Sequence, residues 1–129
     1  MILGIGVDTI ETERFALWHT YSQKKLSRIF SPQEIEYCLQ QPNKSAERFA
    51  ARFAAREALF KALSYAQQNH LLSFLTLCSR ISIAKVDSRP YIVINGDIGI
   101  DLSGIVFHLS LSHSCTHATA FIVIERQIL

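Results

Sequence analysis

Residues 52–63 constrain the fold and the chemistry of this chain more than any other segment. They read RFAAREALFKAL, so that one carboxylate, Glu57, stands among the cations Arg52, Arg56 and Lys61 in a frame of alanine, leucine and phenylalanine. Alanine and leucine favour a helix. A helix that only packs gains nothing from these charges. A helix that binds a divalent cation and a polyphosphate needs both signs of charge close together.

The surrounding pattern predicts a long helix over residues 46–64 with Ser45 as its N-cap. At about 100° per residue, four apolar side chains fall on one face of this helix. This predicted core stripe is Phe49, Phe53, Phe60 and Leu63. Glu57 lies at the edge of the stripe, Lys61 lies one step beyond it, and Arg56 lies inside it. Because an unpaired guanidinium is costly in a core, Arg56 must reach a partner or an anionic ligand.

A strand is predicted over residues 2–8, where side chains alternate between two faces. Gly4 and Gly6 share one face with Asp8 and leave it bare, which allows close approach by another backbone or a ligand. Asp8 ends this predicted strand, where burial of a carboxylate without a partner would cost free energy because the charge loses its hydration. A turn or cap residue at the end of a strand is an equally good explanation of Asp8.

Helix and strand signals occupy different halves of the chain. The tetrapeptide SPQE at residues 31–34 supplies a serine N-cap, a proline at the first helical position and a capping-box glutamate, for a helix that ends near residue 41. A short helix is also expected within residues 9–28. The predicted strands of the second half cover residues 81–86, 91–94, 105–112 and 118–125, the last two as a hairpin. Residues 1–129 are therefore predicted to form one α+β domain, in which an antiparallel sheet packs against the long helix.

Composition argues against several classes of function. A net charge of +2 over 129 residues is too small for a dedicated nucleic-acid binder. The cysteines, Cys38, Cys78 and Cys115, are odd in number and far apart, which disfavours a disulfide framework and a zinc site and suits a reducing compartment. No apolar stretch approaches the ~20 residues of a membrane span, and the first residues lack the basic start of a signal peptide. A cytoplasmic protein that binds neither nucleic acid nor membrane is expected.

Each candidate site residue has an ordinary explanation when it is considered singly. Glu57 and Lys61 form an i,i+4 pair of the kind that stabilises a helix surface by ~0.2–0.5 kcal/mol. His113 continues the apolar face of its strand, as a satisfied core or rim histidine does. Considered together, two carboxylates from different elements suit Mg²⁺, which completes its coordination with water and substrate phosphates. The cations and the histidine suit phosphate oxygens.

Five sequence blocks occur in the order and spacing of one enzyme family. They are GIGVDTI at residues 4–10, RIFS at 28–31, RFAAREA at 52–58, KAL at 61–63 and SLSHS at 110–114. Together they closely resemble the holo-(acyl-carrier-protein) synthases, the short bacterial type of the 4′-phosphopantetheinyl transferase superfamily. The resemblance covers almost the whole chain, and it implies the fold of that superfamily.

The resemblance also implies an activity. These enzymes move 4′-phosphopantetheine from coenzyme A to a serine of an acyl carrier protein, in fatty acid biosynthesis, and release adenosine 3′,5′-bisphosphate. By motif position, Asp8 and Glu57 would be the Mg²⁺ ligands and, with His113, the catalytic residues. The base that takes the serine proton is left open between Glu57 and a metal-bound water. The small enzymes of the family are homotrimers with active sites between subunits, so a homotrimer is expected.

The resemblance further assigns the cations. Arg52, Arg56 and Lys61 would bind phosphates of coenzyme A, with packing or a subunit contact as the alternative role for Arg56, and His113 would contact the diphosphate near the metal. Three positions depart from the family pattern: Arg56 stands where lysine is usual, SYAQ at residues 64–67 replaces a glycine-rich turn, and SRP at residues 88–90 replaces Gly-Lys-Pro. Arginine keeps the charge of lysine but is not deprotonated in proteins, so proton transfer at position 56 is not expected.

A basic patch lies outside these motifs. Arg14, Lys24, Lys25 and Arg28 place four cations and no carboxylate between residues 14 and 28. Carrier proteins are acidic, so this patch is expected to dock them, although a solvated helix face explains Lys24 and Lys25 equally well. Two other functions fit the same residues. One is a non-catalytic module that binds an acidic protein, and the other is a different Mg²⁺-dependent phosphotransferase that acts on a nucleotide.

Overall fold

The helices and strands follow the predicted division of the chain. The computed structural model describes residues 1–67 and 72–128. The helices are α1 (Gln23–Leu26), α2 (Pro32–Leu39), α3 (Ser45–Ala66) and α4 (Phe74–Ser79), with 3-10 turns at Thr12–Phe15, Trp18–Thr20 and Pro42–Lys44. The strands are β1 (Ile2–Glu11), β2 (Ile81–Val86), β3 (Arg89–Ile94), β4 (Ile105–His113) and β5 (His117–Arg126). The predicted α+β class, with a long helix against antiparallel strands, is confirmed.

The strands form two antiparallel sheets rather than one. The larger has the order β1-β5-β4, and the smaller pairs β2 with β3. The predicted hairpin joins β4 to β5, and α3 packs against β1 and β5. In the larger sheet, Asp8 of β1 lies opposite Ala120 of β5, which lies opposite Leu111 of β4. Residues opposite one another share a face, so Asp8 lies on the same face as the buried Ala120.

β1 and α3 are in backbone-to-backbone contact at two glycines. A Cβ atom added to Gly4 would lie 2.1 Å from the carbonyl oxygen of Ala62, and one added to Gly6 would lie 1.8 Å from that of Ala58. Real Cβ atoms do not approach so closely, so only glycine fits at these positions. The bare face predicted for β1 is therefore occupied by a helix backbone, and Asp8 on the same face is brought beside α3.

α3 is buried around most of its circumference, not along one stripe as predicted. Its buried apolar residues are Phe49, Ala50, Ala51, Ala54, Ala55, Ala58, Leu59, Ala62 and Leu63. The alanines allow other elements to approach closely, and the predicted stripe members Phe53 and Phe60 are only partly buried. Phe53 packs against Phe15 and Trp18, with ring centroids 5.4 Å and 6.1 Å away. These aromatic contacts attach the segment after β1 to α3.

Several predicted element ends are wrong, among them the end of β1 and the N-cap of α3. β1 does not end at Asp8 but continues to Glu11, because residues 9–11 keep pairing with β5. Ser45 is not the N-cap of α3. Lys44 holds that position with φ −113° and ψ −1°, already close to helical values, since the 3-10 turn before it leads straight into the helix.

The capping box of α2 is confirmed. The Ser31 hydroxyl accepts a hydrogen bond from the backbone N–H of Glu34, and the Glu34 carboxylate accepts one from the N–H of Ser31. α2 ends at Leu39, two residues before the predicted end. No helix in the described part of the chain is both long and apolar enough to cross a membrane.

Gly6→Ala tests the contact between β1 and α3. The added Cβ would meet the Ala58 carbonyl, so the strand and helix must separate. We expect the free energy of unfolding to fall by about 1–3 kcal/mol or more, the cost of overpacking a core, as measured by urea denaturation. Gly96→Ala is the matched control, because its nearest neighbour is the movable Arg80 side chain at 3.3 Å. Equal, small losses in the two variants would contradict the contact.

Candidate active site

Asp8, Glu57 and Lys61 lie together where β1 packs on α3. Lys61 Nζ donates hydrogen bonds to Asp8 Oδ1 and to the Val7 carbonyl oxygen, both at 3.0 Å. Burial raises the pKa of the Glu57 carboxyl, and the negative charge of Asp8 raises it further, while Lys61 and Arg14 act in the opposite direction. The two carboxylates are therefore close enough to interact, as predicted from residues 49 positions apart in the sequence.

This pair of carboxylates fits a magnesium ion. Both offer hard oxygen donors, and their mutual repulsion is relieved by a cation between them. Within residues 1–67 and 72–128, no group of three or more His, Cys, Asp or Glu side chains is placed to hold a metal. Asp8 and Glu57 could hold Mg²⁺, which takes one or two protein carboxylates and leaves its other positions to water and phosphate.

A basic cavity of about 290 Å³ lies elsewhere on α3, between that helix, α2, the β2–β3 hairpin and the end of β4. Its charged lining residues are Lys44, Glu47, Arg48, Arg52, Lys85 and His113. Four cations against one carboxylate give this cavity the charge expected of a phosphate site, and His113 adds a further donor when protonated.

Arg52 is the best placed of these cations to bind an anion. Its side chain is buried, with 3% of the residue exposed, and its guanidinium carbon lies 4.4 Å from the centroid of the Tyr37 ring. Its Nη1 donates a long hydrogen bond of 3.4 Å to the Arg48 carbonyl, and its Nε has no partner among the described residues. A buried cation without a carboxylate is stabilised by an anionic ligand.

His113 is the last residue of β4 and lies half-exposed at the cavity rim, where its Nδ1 contacts the Glu47 carboxylate of α3 and forms an ion pair when the imidazole is protonated. Asp8, Glu57 and Lys61 do not line this cavity. Glu47 and Arg52 of the cavity precede Glu57 by ten and five residues, about 15 Å and about 7.5 Å along the helix axis. One chain therefore carries two separate groups, the carboxylate pair with Lys61 and the basic cavity.

Sequence reasoning missed several cavity residues. Lys44 and Arg48 were missed although they precede the predicted Arg52 at intervals of four, a spacing that places all three on one side of a helix and signals a cationic face. Lys85 and Tyr37 had no such signal, because they reach the cavity from β2 and α2.

Arg56 does not bind a cofactor in this structure, contrary to the expectation. It is fully buried, and both terminal nitrogens donate to the Glu34 carboxylate, Nη1 to Oε2 at 2.7 Å. Nη1 and Nη2 also approach the carbonyl oxygens of Arg52 and Ile81, at 3.3 Å and 3.4 Å. The partner that a guanidinium in the core requires is thus a carboxylate of α2, and Arg56 fastens α2 and β2 to α3.

The basic patch is exposed. Arg14, Lys24, Lys25 and Arg28 all face solvent, and none of them forms an ion pair within the described part of the chain. Lys25 Nζ lies 3.8 Å from the centroid of the Tyr21 ring. The positive charge of Arg14 partly offsets the rise in the pKa of Glu57, so this residue of the patch is electrostatically coupled to the carboxylate pair.

Two departures from the family pattern have structural consequences. Residues 64–66 continue α3 instead of forming a glycine-rich turn, and residues 68–71 lie outside the described residues. In the β2–β3 turn, Asp87 and Ser88 adopt φ values of 50° and 66°. Glycine adopts this left-handed region without strain, so Ser88 costs more here than a glycine would.

Comparisons with known proteins agree with the geometry. A family described as the 4′-phosphopantetheinyl transferase superfamily matches residues 4–120. The holo-[acyl-carrier-protein] synthase of Koribacter versatilis is 36% identical, over 97% of this chain and 99% of that protein. That of Geobacillus kaustophilus is 38% identical, over 98% and 91%.

Solved structures give the same result. A holo-(acyl-carrier-protein) synthase of Bacillus anthracis, in complex with CoA (3′,5′-ADP), is 30% identical and superposes with a TM-score of 0.74, over 98% of this chain and 99% of that one. The synthase of Helicobacter pylori in complex with coenzyme A is also 30% identical, with a TM-score of 0.70, over 94% and 99%.

Glu34→Ala tests the structural role of the Arg56 pair. The substitution leaves Arg56 charged and unpaired in the core, so we expect the free energy of unfolding to fall by about 3–5 kcal/mol in guanidinium chloride titrations. Glu36→Ala removes an exposed carboxylate from the same helix and should change it by no more than about 0.5 kcal/mol. A Glu34→Ala variant that is as stable as the wild type but binds coenzyme A more weakly would instead support the expectation that Arg56 binds a phosphate of coenzyme A.

Proposed function

Because this chain belongs to the 4′-phosphopantetheinyl transferase superfamily, we propose that it acts as a holo-(acyl-carrier-protein) synthase. It transfers 4′-phosphopantetheine from coenzyme A to a serine of apo acyl carrier protein and releases adenosine 3′,5′-bisphosphate. The observation that carries this proposal is the Asp8–Glu57 pair beside Lys61, on a chain that matches synthases of this kind over nearly its whole length.

We assign the reacting end of coenzyme A to that pair. Asp8 and Glu57 would hold Mg²⁺, which when bound offsets the negative charge on the diphosphate oxygens. The serine hydroxyl gives its proton to a base, Glu57 or a water molecule, and its oxygen attacks the phosphorus that bears pantetheine while the bond from that phosphorus to the oxygen of the departing bisphosphate breaks. Lys61 supplies a positive charge next to Asp8, and a cation held in place stabilises the charge that builds on the departing oxygen.

We assign the other phosphate to the basic cavity. Coenzyme A carries a 3′-phosphate on its ribose, away from the diphosphate, and this chain carries a cationic cavity away from the carboxylate pair. Arg52, buried and without a carboxylate, is the residue that most requires an anion there. His113 stands at the rim, from which we propose that it contacts the diphosphate.

We propose that the two groups come together between subunits of a homotrimer. The outer face of the larger sheet, opposite α3, carries exposed apolar side chains: Ile5 is 49% exposed, Val7 52% and Phe121 43%. Val7 lies directly opposite Phe121 and Ile5 opposite Val123, so these residues form a continuous patch. A second copy of the chain would cover this patch and bring its own cavity to the first copy's carboxylates. The number of three subunits rests on the family resemblance.

The basic patch supplies the proposed dock for the carrier protein. Its exposed cations have no carboxylate partner in the described residues, so they remain available to an acidic surface. Arg14 connects the patch to the carboxylate pair, where the serine must arrive. We place the reaction in fatty acid biosynthesis and in the cytoplasm.

Asp8→Asn tests the proposed reaction. The change keeps the size of the side chain but removes one charged ligand, so Mg²⁺-dependent addition of phosphopantetheine to apo carrier protein should slow by at least about 100-fold in an intact-mass assay. Glu36→Gln, a surface change on α2, should leave the rate unchanged. Carrier-protein binding should survive in Asp8→Asn.

Other outcomes separate the alternatives. A wild-type chain that binds carrier protein but adds no mass to it in the presence of Mg²⁺ and coenzyme A would be the non-catalytic binding module. Calorimetry that shows ATP binding but no coenzyme A binding would identify a different phosphotransferase. Either result would refute the proposal.

Phe121→Lys tests the subunit interface. Light scattering of the wild type should give about three times the chain mass of 14.6 kDa. A lysine in the middle of the apolar patch should shift that mass toward one chain and abolish transfer, with the circular dichroism spectrum unchanged. Leu75→Lys, at a side chain 56% exposed on α4, is the matched control and should remain a trimer. A monomeric wild type with full activity would refute the shared site.

A further inference from the structure

The ring of Tyr37, on α2, lies among three cations of the basic cavity. The guanidinium carbons of Arg48 and Arg52 lie 3.9 Å and 4.4 Å from its centroid. Lys85 Nζ donates a hydrogen bond of 3.2 Å to the Tyr37 hydroxyl, and Arg48 Nη1 donates one of 2.8 Å to the Tyr37 backbone carbonyl. One tyrosine thus connects cations that come from α3 and from β2.

Tyr37 offsets the mutual repulsion of these three cations. Arg48, Arg52 and Lys85 form no ion pair within residues 1–67 and 72–128, and like charges four residues apart on a helix repel each other. The electron-rich face of tyrosine attracts guanidinium groups, and its hydroxyl accepts from an ammonium. Burial raises the pKa of Tyr37, but the Lys85 hydrogen bond and the three positive charges outweigh it, so that the pKa is lowered. The Tyr37 hydroxyl therefore lies in a net positive field.

Tyr37 is itself held in place by the core. Glu34 lies one turn before it on α2 and is fastened to Arg56 of α3. Because Arg48 and Arg52 also belong to α3, the ion pair fixes the distance between the tyrosine and the arginines that it contacts.

We propose that Tyr37 is a positioning residue of the phosphate site, which holds Arg48, Arg52 and Lys85 ready for the 3′-phosphate of coenzyme A. This role rests on the proposed function and on the assignment of that phosphate to the cavity. Side chains already ordered lose less entropy when the ligand binds. Since the 3′-phosphate takes no part in bond making, loss of Tyr37 should weaken donor binding while the chemical step is spared.

The test compares two donors, coenzyme A and 3′-dephospho-coenzyme A, in steady-state transfer to apo carrier protein. Tyr37→Leu should raise the KM for coenzyme A about 10-fold, with kcat within about twofold and the KM for the dephospho donor unchanged. Tyr37→Phe keeps the stacking ring and loses only the Lys85 hydrogen bond, so its KM should rise about two- to threefold. Tyr91→Leu is the matched control, because this exposed tyrosine of β3 does not line the cavity.

The outcomes are distinct. An unchanged KM for coenzyme A in Tyr37→Leu, an equal rise for both donors, or a loss of kcat at constant KM would overturn the role of Tyr37. If Tyr37→Leu unfolds below the assay temperature, Tyr37→Phe decides, and an unchanged KM there also overturns the role. Equal KM values for the two donors in the wild type would overturn the assignment of the 3′-phosphate to the cavity, and with it the role of Tyr37. The proposed transferase activity would stand. A wild type that transfers from neither donor refutes the proposed function itself.

Discussion

The contact of the β1 backbone with the α3 backbone is the constraint on which the rest of the structure depends. Gly4 and Gly6 remove the side chains that would hold the two elements apart, and Ala58 and Ala62 complete the fit from the helix side. Asp8 follows the glycines on the same face of the strand. The carboxylate pair with Glu57 is therefore a consequence of packing, because a wider separation of strand and helix would take the two carboxylates apart.

A second constraint acts on the opposite side of α3. Taking Arg56 and Glu34 out of water costs several kcal/mol each, and good geometry with additional hydrogen bonds is needed to offset that cost. The structure provides them, since the Glu34 carboxylate also closes the capping box with Ser31. The start of α2, the middle of α3 and the first residue of β2 meet at this ion pair. One side of α2 is thus fixed in the core while Tyr37, a turn later, reaches the basic cavity.

The local features of this fold could be predicted from the sequence, and the tertiary partners could not. The two glycines indicated close approach, and SPQE at residues 31–34 indicated a capped helix, because both signals are contained in a few adjacent residues. The need of Arg56 for a partner was also evident from its helical position. Its partner, Glu34, was not, because nothing local relates a glutamate in one helix to an arginine 22 residues away. Lys85 was missed for the same reason. The burial of the α3 alanines was missed because the predicted stripe was based on the spacing of large apolar side chains alone.

The alternation of β1 links the proposed chemistry to the proposed assembly. Successive residues of a strand face opposite sides, so Asp8 points to α3 while Val7 points outward into the apolar patch. A second copy of the chain that covers this patch would therefore place its residues on the other side of β1 from the carboxylates. The same chain keeps its own basic cavity about 7.5–15 Å farther along α3, from Arg52 to Glu47. In the proposed assembly, a ligand with two separated phosphate groups would bridge two copies, and this would account for the separation of the two groups within one chain.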